Sequence, residues 1–111
     1  MISWRVARLS PLETIVLAAF RRRLVDIVGA RLTRTALFGS RARGEGDEDS
    51  DLDVFVLVED LSAADRRAIV DAASDLALEH GLSVSPLVRD PRTFDRATPI
   101  ARAIEREGVA L

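Results

Sequence analysis

Cysteine, lysine and tyrosine are missing from the 111 residues. Without cysteine there can be no disulfide scaffold and no thiolate zinc site, and a reducing compartment fits. Without lysine the phosphate-binding loop that ends in Gly-Lys-Ser/Thr is excluded, and arginine carries all 16 basic charges. Long hydrophobic runs are also lacking. Ile15–Phe20 (IVLAAF) is the longest and is far too short to cross a bilayer, and MISWRVARLS at the start has no apolar signal-peptide core. The chain is therefore expected to be soluble and cytoplasmic, with no membrane association. A basic excess is absent too: a net charge of −2 argues against broad, direct binding to nucleic acid. Most of the arginines read as solvated surface. With 48% hydrophobic residues and no repeat or long linker, residues 1–111 suffice for one core and read as a single domain.

Helix signals open at Ser10-Pro11-Leu12-Glu13, where Ser10 can cap, Pro11 suits the first helical position and Glu13 completes a capping box. Leu12, Ile15, Val16, Ala19, Phe20, Leu24, Ile27 and Val28 then recur at a 3.6-residue period, and Gly29 closes the helix. Arg21-Arg22-Arg23 falls mostly on the opposite, solvated face. Thr35–Gly39 and Leu52–Glu59 read as core strands. Ser62 and Asp65 start a second helix whose apolar positions include Ile69, Ala72, Ala73 and Leu76, ending at His80-Gly81. His80 reads as a cap or surface residue. Leu82–Arg89 is a third strand, placed at an edge or bulge by Pro86. Thr98-Pro99 begins a last helix that ends at Gly108, and Val109-Ala110-Leu111 follows as a tail. Met1–Leu9 adds a short strand through Ile2, Trp4 and Val6, with Trp4 and Val6 buried, or else exposed as a partner surface. The order α-β-β-α-β-α predicts an α/β (α+β) sandwich: a small mixed sheet flanked by helices.

The stretch LFGSRARGEGDEDSDLDVFVLVED (37–60) carries the chemistry. Residues two apart on a strand share a face, so Asp51 and Asp53 project together at the start of the second strand. Two ionised carboxylates side by side repel unless a cation sits between them, and hard oxygen-ligated ions such as Mg²⁺ suit them. Gly39-Ser40 directly follows a strand, where backbone N–H groups can approach a phosphate, and Arg41 and Arg43 can grip phosphate oxygens. Together these describe a site for a metal-bound nucleotide. A calcium-binding reading of Asp47, Asp49 and Asp51 fails, because Leu52 and Val58 stand where Gly and Glu are required. Glu45–Asp49 reads as a solvated loop.

Gly39-Ser40, ten intervening residues and then Asp51-Leu52-Asp53 resemble the G-S-x(n)-D-x-D signature of the nucleotidyltransferase superfamily of DNA polymerase beta and kanamycin nucleotidyltransferase. GSRARGEGDEDSDLDVFV is similar to its minimal nucleotidyltransferase domains, and AIEREGVAL resembles the "REG" ending of many of them. The resemblance implies that Gly39 and Ser40 hold the β- and γ-phosphates of ATP or another nucleoside triphosphate, and that Asp51 and Asp53 hold Mg²⁺ in a two-metal clamp. It implies transfer of a nucleoside monophosphate to a hydroxyl. A chain this short would take its acceptor site from a second subunit or a partner protein. The resemblance points to a helical HEPN toxin modified with AMP on tyrosine, with this chain as antitoxin. Lacking tyrosine, the chain is not expected to modify itself in that way.

One departure stands out. Active members of the family usually carry a third carboxylate on a later strand, and the matching strand here offers only Ser83 and Ser85, with Glu79 and Asp90 bracketing it. A serine hydroxyl is a poor metal ligand. Two readings therefore stay open: a working transferase, and a module of the same fold that neutralises its partner by binding alone.

Overall fold

A computed structural model describes residues 9–47 and 50–111. The strand expected through Ile2, Trp4 and Val6, and the alternative fates of Trp4 and Val6, lie outside the described residues.

Helix α1 (Pro11–Val28) begins as its capping box predicts. The Glu13 backbone N–H donates to Ser10 Oγ at 3.1 Å, and the Ser10 N–H donates to Glu13 Oε1 at 2.8 Å. The buried face differs from the expected one. Glu13, Val16, Leu17, Phe20, Leu24 and Val28 point inward, while Leu12 and Ile15 are 42% and 56% exposed. Apolar residues surround the first turns of this helix, so periodicity alone could not choose the stripe; packing against the sheet does.

Strand β1 (Leu32–Phe38) starts three residues earlier than expected, because Leu32 and polar Arg34 also ladder with β2 (Leu52–Val58), with Thr33 at an irregularity between them. Helix α2 (Gly39–Ala42) is a single turn springing directly from β1. Helix α3 (Ala63–His80) is capped by Ser62 and stopped by Gly81, with Ile69, Ala72, Ala73 and Leu76 all buried. Strand β3 (Val84–Arg89) and helix α4 (Pro99–Glu107), capped by Thr98, complete the expected set. The expected tail instead holds strand β4 (Val109–Ala110), which pairs with Leu37 and Ala36. Two residues are too few to show a strand period.

The sheet order is β3-β2-β1-β4. β1 runs antiparallel to β2 and β4, and β2 runs parallel to β3, so the sheet is mixed. Pro86 sits on an edge strand, where its missing N–H costs no ladder bond. Alternate residues of the sheet feed two apolar clusters. Leu37, Val54, Val56 and Val58 pack with Val16, Phe20 and Leu24 of α1 and Ile69 and Leu76 of α3. Ala36, Phe55 and Leu57 pack with Ile104 of α4, joined by Phe38, Leu87 and Phe94. Full burial of a Val, Leu, Ile or Phe side chain here contributes about 1.5–3 kcal/mol. Asp51 and Asp53 share the parity of Phe55, which puts them on the α4 face at the start of β2. Among the described residues, no helix is long and apolar enough to cross a membrane.

Candidate functional site

β1 ends at Phe38, whose partner across the ladder is Asp53. The chain then turns into α2 through Gly39 at φ +78°. A Cβ at Gly39 would overlap Asp53 Oδ2, so the carboxylate lies directly on the Gly39 backbone. Both the left-handed dihedral and this close approach require glycine. Gly39→Ala is expected to cost about 1–3 kcal/mol and to push the Asp53 side chain out of place. Thermal unfolding with a nucleotide titration would show both losses. Beyond Ser40 the loop folds back: the Ser40 carbonyl accepts from the Glu45 N–H at 2.9 Å, and a Cβ at Gly46 would come 3.4 Å from Ser40 Oγ.

Asp51 is exposed and Asp53 is partly buried. Burial, and then the neighbouring Asp51 charge, push the Asp53 carboxyl above the usual range, while Arg43 pulls it back. Negative charge is thus held at a cost, and a cation between the two carboxylates would relieve it. Among the described residues, no set of three His, Asp or Glu side chains gathers to hold a metal ion. The pair fits Mg²⁺ only in the way Mg²⁺ is commonly bound with nucleotides, by one or two carboxylates with substrate phosphates and water completing the shell.

Beside Asp53 on β3, the paired residue is Ser85, which is exposed. Neither bracketing acid takes the third carboxylate's place. Asp90 lies at the far end of β3, five residues on and roughly 16 Å along the strand. There it accepts from the Arg92 N–H (2.9 Å) and the Leu61 N–H (3.1 Å), which hold its pKa down, and it shapes a turn. The Glu79 side chain is 63% exposed and faces His80 at 3.8 Å, at the C-terminal end of α3. His80 is a helix-end residue, as expected.

The two arginines part company. Arg41, expected to grip phosphate, is buried. Its Nη2 and Nε donate to Glu13 Oε1 and Oε2 at 2.6 and 2.8 Å, and its Nη1 donates to the carbonyls of Glu45 (3.0 Å) and Gly46 (3.4 Å). A phosphate would have to displace a buried carboxylate, so the expectation for Arg41 is corrected: it clamps the loop 41–46 onto the start of α1. Arg43 is exposed and stays at the site. It donates from Nη1 to both Glu107 carboxylate oxygens at 3.1 Å and from Nε to Glu45 at 3.2 Å. Glu107 also accepts from the Gly39 N–H at 3.3 Å. The residues did not single out Glu107; the only signal was its place in the closing Arg106-Glu107-Gly108.

The family model described as a nucleotidyltransferase domain matches residues 17–111. A Methanocaldococcus jannaschii protein, provisionally described as a protein adenylyltransferase, is 34% identical over 74 residues, 66% of this chain and 75% of that protein. A solved minimal nucleotidyltransferase, likewise provisionally described, is 29% identical with a TM-score of 0.57, over 94% of this chain and 99% of that one. A complex of a tri-AMPylated Shewanella oneidensis HEPN toxin with its MNT antitoxin includes a chain of the same fold. It is 21% identical, with a TM-score of 0.57, over 87% of this chain and 69% of that one.

Proposed function

Because this chain belongs to the nucleotidyltransferase domain family, we propose that it transfers AMP from Mg²⁺-bound ATP to a hydroxyl of a HEPN-like helical partner, as that partner's antitoxin. The observation that carries the reading is the Asp53 carboxylate seated on the Gly39 backbone with Asp51 beside it. In one place the chain offers a cation-binding pair of acids and a phosphate-approach glycine. Gly39 and Ser40 receive the β- and γ-phosphates, Arg43 supplies the guanidinium, and Asp51 and Asp53 hold the metal. Arg41 is left out, since its donors serve Glu13 and the loop.

Mg²⁺, when bound, neutralises triphosphate charge, lowers the pKa of the acceptor hydroxyl and stabilises departing pyrophosphate. In the transfer, the acceptor oxygen forms a bond to the α-phosphorus and the α–β phosphoanhydride bond breaks. Pyrophosphate leaves, and the hydroxyl proton passes to solvent. The chain's own part is positioning: it aligns the triphosphate at the sheet end and leaves the acceptor side to the partner. The adenylyl donor and the HEPN acceptor rest on what the similar proteins are described as doing.

Ser85 beside Asp53 favours a second reading, in which catalysis is degraded and the partner is neutralised by binding alone. Ser85→Asp restores a carboxylate at that position. It is expected to raise Mg²⁺-dependent turnover about tenfold or more, read as pyrophosphate release with the partner present. The two readings separate in cells that express the toxic partner. Under the transferase reading, the Asp51→Asn/Asp53→Asn double variant loses protection and the partner loses the mass increment of AMP. Full protection by that variant would contradict it.

A further inference from the structure

Glu107 occupies the place that the nucleotide reading gives to a phosphate. Its carboxylate takes the Gly39 N–H at 3.3 Å and the Arg43 guanidinium at 3.1 Å through both oxygens. These are a backbone donor and a fork-shaped cation, the donor set that also suits a phosphate. The side chain is only 17% exposed, so it is seated in the site and not extended into solvent. Its position does not serve α4. An acid in the last turn of a helix opposes the helix dipole, and Glu107 is the final residue of that helix. The backbone that follows it is pinned, because the Gly108 N–H bonds to the Ile104 carbonyl and Val109 pairs with Leu37. Only the side chain is free to leave, by rotation about its own bonds.

We infer that Glu107 is an internal competitor for the triphosphate, closing the phosphate position in the empty protein and rotating away when nucleotide enters. The inference rests on the nucleotide site proposed above and adds its regulation. A purely structural Glu107, tethering Arg43 for the ligand, predicts the opposite sign: its removal would weaken binding. A competitor predicts tighter binding, because apparent affinity is reduced by the fraction of molecules that are open. If Glu107 is seated in about nine molecules of ten, its neutralisation tightens binding about tenfold.

The test is calorimetric titration of ATP with MgCl2, and of pyrophosphate with MgCl2, into wild type, Glu107→Gln, Glu107→Asp and Arg43→Ala. Glu107→Gln should bind both ligands about fivefold or more tightly than wild type. The charged but shorter Glu107→Asp should fall between the two, and Arg43→Ala should bind more weakly than any. Should Glu107→Gln lose its cooperative melt, the Glu107→Asp ordering decides alone. Wild-type binding that Glu107→Gln leaves unchanged or weakens would overturn the competitor while the nucleotide site stands. Silence from every protein would overturn the nucleotide site and the competitor with it.

Discussion

Asp53→Asn is expected to melt higher than the wild type at pH 7 without metal, while losing all stabilisation by ATP and Mg²⁺. Burial, and then Asp51, raise the Asp53 pKa in the folded protein. A carboxyl whose folded pKa is raised holds its proton more firmly when folded. Its ionisation therefore subtracts stability as pH rises from the unfolded pKa through the folded one, and the penalty is complete above the folded pKa. The neutral amide removes that penalty, at roughly 2–8 °C per kcal/mol for a domain near this size. The gap should close as pH falls below the carboxylate range, where both proteins carry an uncharged group. Ligand that binds only the folded state raises Tm by mass action, so nucleotide and Mg²⁺ should lift the wild type alone. Thermal melts from pH 3 to 8, with and without ligand, read both effects. A variant that melts below the wild type at neutral pH would show that Asp53 is not held at a cost.

Arg41→Ala should be the most damaging single substitution in the loop, with a loss of about 3–5 kcal/mol, because it leaves Glu13 buried without its cation. Glu13 is 1% exposed and Arg41 6% exposed. The Arg41 hydrogen bonds, foremost, hold the Glu13 carboxyl below its usual range. That pair contributes stability above the unfolded pKa, which is lost as pH falls through the folded one. In Arg41→Ala the burial of Glu13 is left to act without the arginine, so its pKa should rise and acidification should narrow the deficit. Denaturant unfolding at pH 4 and pH 7 measures this reversal of slope. Nucleotide affinity should fall as well, since the same guanidinium anchors the carbonyls of Glu45 and Gly46 behind Ser40. Glu13→Gln keeps the shape and some of the hydrogen bonds and should be milder.

Local chemistry made much of this molecule legible. Ser10, Ser62 and Thr98 mark the helix starts to the residue, because capping is a contact between neighbours in sequence. Pro86 announces its edge strand, and the spacing of Gly39-Ser40 and Asp51-x-Asp53 points to the sheet end where the site is proposed. What the sequence hid is long-range or too short to carry a period. Glu13 is already explained by its capping box, so its second role, as partner of Arg41 across 28 positions, leaves no trace. Glu107 meets Gly39 from 68 positions away. β4 is two residues, and the single turn of α2 looks like loop. Arg41 and Arg43 are alike in sequence, and only burial separates a loop clamp from an arginine of the proposed site.

Asp51, Asp53, Gly39 and Ser40 are proposed to form one metal-dependent nucleotide site. Calorimetric titration of ATP into the wild type, with MgCl2 and then with EDTA, tests it most directly, with the Asp51→Asn/Asp53→Asn protein as control. Binding should require Mg²⁺ and vanish in the control. Binding that is indifferent to Mg²⁺, or no heat at millimolar ATP from either the wild type or Glu107→Gln, would contradict it.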